Sequence, residues 1–211
     1  MRGILVLTLV AAGLAGCAGR LAYTGPDQPA QTQTERTVDR GFDQVWAQAV
    51  SRFPAQGYAI VGADKTQGVL TLAYAGAPDA YLDCGRVESV VYTPRDRVRR
   101  VYRFPASSGH QRYEQLMRGN IYDVQRDLSM QATIDVKLQR QGRRQTQAVV
   151  GARYQLTRTV QISNATQRPY EPISDTITLS SRSKASFPGQ ESATQCVPTG
   201  RLERAVLAVL E

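Results

Sequence analysis

Residues 130–162 read MQATIDVKLQRQGRRQTQAVVGARYQLTRTVQI. In the first part Met130, Ala132, Ile134, Val136 and Leu138 alternate with Gln131, Thr133, Asp135 and Lys137. In the second, Ala148, Val150, Ala152, Tyr154, Leu156, Val160 and Ile162 alternate with Gln147, Arg153, Gln155, Thr157 and Gln161. A period of two sends alternate side chains to opposite faces of a strand, so each segment has one dry face and one wet face. That is the pattern of an antiparallel sheet covered on one side. The link Arg140-Gln141-Gly142-Arg143-Arg144 is short, polar and contains Gly, and it predicts a long hairpin joining the two segments.

Upstream, Phe42, Val45, Trp46, Ala49, Val50 and Phe53 repeat with the spacing of one helical face. Asp39 or Gly41 is the expected cap, and Pro54 is expected to end or kink the helix near Arg52. Trp46 lies in the apolar stripe and reads as core. Tyr58 to Ala63, the turn Asp64-Lys65-Thr66-Gln67-Gly68, and Val69 to Tyr74 predict a second hairpin. A further strand is expected at 176–185, through Ile177 and Leu179. Leu202, Ala205, Val206, Val209 and Leu210 predict a closing helix with Thr199 at its N-cap. In 75–127, Pro78, Pro94, Pro105 and Ser107-Ser108-Gly109 suggest loops between short strands. Together these readings predict one α+β domain over 36–211. It would be an antiparallel sheet of about five to seven strands with an N-terminal and a C-terminal amphipathic helix packed on one face.

The 211 residues are 42% hydrophobic and 21% charged, which excludes a disordered polymer and a polytopic membrane protein. Lys+Arg number 26 against 18 Asp+Glu, a net +8, and Lys occurs only at 65, 137 and 184. A basic chain prefers anionic surroundings, although charge alone names no partner. Three Cys and one His leave little material for a metal cage or a histidine-based site.

The N-terminus decides the compartment. Met1-Arg2 is a short positive start, and Ile4 to Leu14 is an apolar run closed by Leu14-Ala15-Gly16-Cys17. The run is shorter than the ~20 apolar residues of a membrane-spanning helix and reads as a signal peptide, 1–16. Leu14-Ala15-Gly16-Cys17 resembles the lipobox of bacterial lipoproteins, in which the Cys becomes the lipidated first residue. The resemblance implies a mature chain that starts at Cys17 and has 195 residues, the full 211 less the 16 of the leader. Several acyl chains on Cys17, at about 0.8 kcal/mol per buried methylene, would anchor it permanently. Residue 18 is Ala rather than Asp, and by the family's sorting rule this implies the outer membrane, periplasmic side, rather than the inner membrane. Residues 17–35 are rich in Gln, Thr, Gly and Pro and read as a lipidated flexible tether, holding the folded part about 20–25 Å from the lipid. In the compartment so implied, Cys84 and Cys196 are expected to form a disulfide.

A second resemblance is carried by the helix followed by Gly57-Tyr58-Ala59-Ile60 and Asp64-Lys65-Thr66-Gln67-Gly68. It is similar to the helix-grip domain of BamC-like lipoproteins, accessory components of the outer-membrane β-barrel assembly machinery. The similarity covers 42–74, and it implies fold and compartment more than role. BamC-like proteins have two such domains, whereas one is read here.

Chemistry is sparse. His110 sits in a Ser-Gly loop, and no Gly-x-Ser-x-Gly elbow surrounds any Ser. Asp79 with Asp83, and Asp123 with Asp127, are carboxylate pairs of a kind common on solvated surfaces. There is no HExxH, Cys-x-x-Cys or phosphate loop, so no catalysis, metal or cofactor is expected. The one constellation is arginine. Arg95, Arg97, Arg99 and Arg103 share parity, so in a strand their guanidinium groups would share one face, and Arg143, Arg144 and Arg153 are expected on the same side. Guanidinium forks bind phosphate and carboxylate in bidentate fashion, so such a face would suit an anion. Two functions follow: an outer-membrane lipoprotein acting as a non-enzymatic accessory or scaffold with an envelope protein partner, or a module binding an apolar or anionic ligand in a helix–sheet cleft. Nucleic acid is not expected outside the cytoplasm.

Overall fold

A computed structural model describes residues 18–27, 34–93, 97–164, 166, 168–188 and 194–211. Cys17, residues 1–16, expected from the sequence to be a signal peptide, and Arg95 lie outside the described residues. The elements begin with β1 (Ala18–Thr24), β2 (Glu35–Val38), α1 (Phe42–Ala55), β3 (Ala59–Asp64), β4 (Val69–Gly76), α2 (Pro78–Tyr81) and β5 (Leu82–Asp83). They continue with β6 (Arg86–Thr93), β7 (Val98–Pro105), β8 (His110–Met117), β9 (Asn120–Arg140) and β10 (Thr146–Ser163). The chain closes with β11 (Ile173–Ser180), β12 (Ala185–Phe187), β13 (Thr194–Pro198) and α3 (Arg201–Val209).

The centre of the molecule is the β9–β10 ribbon. It is in continuous antiparallel register from Asp123↔Ser163 to Arg140↔Thr146. Both of its edges are shared. Along β9, β8 pairs with one half and β4 with the other; along β10, β11 and β2 divide the length in the same way. With β3 outside β4, this makes a seven-stranded sheet.

Met130, Ala132, Ile134, Val136, Leu138, Ala148, Val150, Tyr154 and Leu156 are buried, while Gln131, Thr133, Asp135 and Lys137 are exposed. The dry face has two covers. Near the β9–β10 turn it is covered by α1, through Phe42, Val45, Trp46, Ala49 and Phe53, and by α3, through Leu202, Val206 and Leu207. At the other end a three-stranded sheet, β1-β6-β7, takes over, and Phe104, Tyr113 and Val124 form a second small core with Val160 and Ile162. A third sheet, β12-β13-β5, carries Cys196 and adjoins Cys84, whose sulfurs are bonded at 2.04 Å.

This corrects the expected α+β architecture. Strands take about 60% of the described residues and helices 15%, in three sheets with only three helices. The chain is mostly β, and half of the dry face meets a sheet rather than a helix. The difference comes from 75–127. Pro78 opens α2, Pro105 closes β7 and Ser107-Ser108-Gly109 leads into β8, and the stretches between them build β6, β7, β8 and the start of β9.

The N-terminal stretch also differs from the tether read from its composition. Ala18–Thr24 is strand β1, paired along its whole length with β6. Tyr23 fixes it: its hydroxyl donates toward the carbonyls of Cys84 and Gln195 at 3.1 Å, and it accepts from the Gln195 N–H at 2.8 Å. Gly85, at φ +75, permits the close approach, since a Cβ there would lie 2.1 Å from the Thr24 carbonyl oxygen.

Two helix ends differ as well. α1 keeps Pro54 in its last turn and runs to Ala55. α3 starts from Gly200 in left-handed backbone, while the Thr199 hydroxyl donates to the Tyr81 carbonyl at 2.8 Å.

Candidate functional site

The arginines singled out in the sequence fall into separate places. Arg99 and Arg103 share the outward face of β7, opposite Tyr92 and Glu88 of β6. Arg97 occupies the β6–β7 turn with φ 55. Arg103 is not free for a ligand: its Nε donates to Glu88 Oε2 at 2.5 Å, and Arg20 of β1 holds Glu88 Oε1 at the same distance. These two hydrogen bonds, Arg103 first, hold the Glu88 carboxyl below the usual carboxylate range. On the inward side Arg100 is ion-paired with Glu114 at 2.6 Å.

Arg143 and Arg144 do not join this group. They lie in the β9–β10 turn, and β9 puts 21 residues, about 65 Å of extended chain, between that turn and the β8–β9 turn. Arg153 stands exposed in mid-β10, opposite Thr133.

At the β9–β10 end, Gly41, Phe42, Asp43, Arg140, Arg143 and Arg144 line an open groove of about 540 Å³ beside the start of α1. Asp43 accepts from Lys65 at 2.8 Å and Arg140 at 3.3 Å, and the Arg140 guanidinium stacks 4.5 Å over the Phe42 ring. Those contacts hold its walls together, so the groove's remaining charge is Arg143 and Arg144. The space between α1 and the sheet is filled by Val45, Trp46, Ala49 and Phe53.

Several buried or half-buried polar groups were not anticipated from the sequence. Arg126 and Arg158 stand on the dry face where the two cores meet. Arg126 is 5% exposed, its Nη2 donates to the Ala106 carbonyl, and its Nη1 finds no partner among the described residues. Burial lowers its pKa to about 10, so it stays cationic at neutral pH. Arg158 reaches Asp175 at 2.8 Å and lies 4.6 Å over the Phe187 ring. The readable signal was parity, because both are charged residues at positions that the alternation assigns to the apolar face. Near α3, the Tyr154 hydroxyl donates to the fully buried Glu203 at 2.8 Å, and burial pushes the phenol's pKa up.

His110 and Asp127 form an exposed pair, Nδ1 to Oδ1 at 2.6 Å, across β8 and β9. Asp83 is committed to the backbone, accepting from Gly85 N–H at 2.8 Å and Asp27 N–H at 3.2 Å. Asp123 and Asp127 are four strand positions apart, about 13 Å, too far to act on one bond. No group of His, Cys, Asp and Glu fit to hold a metal, and no helix long and apolar enough to cross a membrane, occurs among the described residues. The chain matches no family model, no curated protein and no solved structure.

Proposed function

We propose that the chain is a bacterial outer-membrane lipoprotein, acylated at Cys17 and facing the periplasm, that serves as a non-enzymatic accessory or scaffold for envelope assembly. The observation that carries the reading is Leu14-Ala15-Gly16-Cys17 at the end of an eleven-residue apolar run. Two features of the fold support it. Cys84 and Cys196 are bonded, which suits an oxidising space. The interface between α1 and the sheet is filled with side chains, which favours a surface contact over a ligand held in a helix–sheet cleft. One such surface is the outer edge of β3, where Val61 is the extra residue of a β-bulge and is 62% exposed. A bulged edge resists indiscriminate strand pairing while still presenting an apolar contact.

The thiol of Cys17 is the lipid acceptor in this account. Cys17→Ala is expected to reduce metabolic labelling with radioactive palmitate to background. Labelling that persists in the variant contradicts the assignment. Cross-linking of the wild-type protein in cells, read by mass spectrometry, is expected to join the β3 edge to an envelope protein. Cross-links confined to the chain itself would remove the scaffold role.

A further inference from the structure

Among the described residues, the end of the molecule where β1 begins carries arginines that no carboxylate pairs. Ala18 pairs with Tyr92, and Tyr92 pairs with Arg99, so the first described residue lies one strand away from the β6–β7 turn. β6 and β8 run alongside one another in the same direction. The Ser89 hydroxyl donates to the Glu114 carbonyl at 2.5 Å, and a Cβ on Gly19, opposite Val91, would lie 2.9 Å from the Leu116 Cβ. The β6–β7 and β8–β9 turns therefore emerge at the same end. Arg97 stands in one and Arg118 in the other, both in left-handed backbone, with φ 55 and 49.

The glutamates of the adjoining strands are already used, Glu88 by Arg20 and Arg103, and Glu114 by Arg100. Arg97, Arg99 and Arg118 are exposed and make no ion pair among the described residues. Between the first two, Val98 is 39% exposed. Among the described residues the tip is thus three guanidinium groups outside any ion pair around an apolar side chain, a combination that suits the headgroup layer of an anionic bilayer.

We infer that this tip, Arg97, Val98, Arg99 and Arg118, rests on the membrane and binds the phosphates of anionic lipid headgroups. The inference rests on the reading of Cys17 as the anchor, and geometry joins the two. Consecutive Cα atoms are about 3.8 Å apart, so an acylated Cys17 has no spacer before β1 and brings its end of the sheet to the bilayer surface. β9 then leads away from the membrane, and the β9–β10 turn with its groove lies at the far end.

The test uses the protein purified from membranes, its state at Cys17 read by intact mass, in phosphatidylglycerol and in phosphatidylcholine vesicles. Backbone amides of 97–99 and 118–119 are expected to exchange hydrogen several-fold more slowly on the anionic vesicles. High salt or the triple variant Arg97→Gln/Arg99→Gln/Arg118→Gln is expected to remove the difference. Equal exchange on both vesicles, with Cys17 acylated, overturns the tip and leaves the anchor standing. If Cys17 is bare, the anchor falls and the tip is read by co-sedimentation. At roughly fivefold per arginine, the wild type is then expected to bind the anionic vesicles about 100-fold more tightly than the triple variant. Equal binding of the two proteins overturns the tip.

Discussion

Replacing Cys84 and Cys196 together by Ala is expected to lower the unfolding free energy by about 4–5 kcal/mol, because the bond closes a loop whose ends are 112 residues apart and restricts the unfolded chain accordingly. Both sulfurs are fully buried. The bond staples a small part of the fold that has little else to hold it: β5 is two residues long and meets β13 in only two residue pairs. Tyr23 hydrogen-bonds to the backbone on both sides of the bridge, so loosening it also loosens β1. Urea denaturation of the oxidised wild type and the double variant measures the difference. Superposed curves would show that the bridge adds nothing to stability.

The second large effect lies in the central ribbon. Ile134 is fully buried, with Leu72 of β4 on one side and Ala152 of β10 on the other. Ile134→Ala removes three heavy atoms from a packed layer and is expected to cost about 2–5 kcal/mol. Gln131→Ala, three positions away on the wet face, is expected to change stability by less than about 0.5 kcal/mol. Denaturation midpoints of the two variants against the wild type give the comparison. Equal losses would contradict the one-sided burial of β9, and a larger loss for Gln131→Ala would mean that its register is shifted by one residue.

That contrast was readable in the sequence because one face of the ribbon is dry and the other wet. The alternation over Met130–Leu138 and Ala148–Leu156 names the buried side chains residue by residue, whereas beyond Leu156 both faces of β10 are partly buried. The Phe42–Phe53 stripe was readable for the same reason, since its period matches a helix packed on one side, although Val50, read as part of it, is exposed.

What the sequence did not disclose is what covers the far half of the ribbon. In β6 and β7 the inward side chains include Ser89, Arg100 and Tyr102, polar residues that find partners only once β8 is in place. Their alternation is blurred, and proline became the loudest signal in that stretch. β1 was hidden similarly. Its Gly, Arg and Thr content imitates a linker, and it is held by pairing with a strand more than sixty residues away, which composition does not register.

The arginines show the same limit at the level of a site. Parity put Arg99 and Arg103 on one face of a strand, which is where they stand. It carried no information on Glu88, which removes Arg103 from the set, or on the β8–β9 turn, which adds Arg118. It also had no means of placing Arg143 and Arg144 at the opposite end of β9. Charge clusters are made by tertiary neighbours, and a linear reading sees only one of the strands involved.

The account turns on the state of one sulfur, and the intact mass of the protein extracted from membranes reads it directly. The expected species begins at Cys17 and exceeds the bare polypeptide by a diacylglyceryl group and one further acyl chain. A chain that still begins at Met1, with no added lipid mass, would contradict the anchor and the placement built on it.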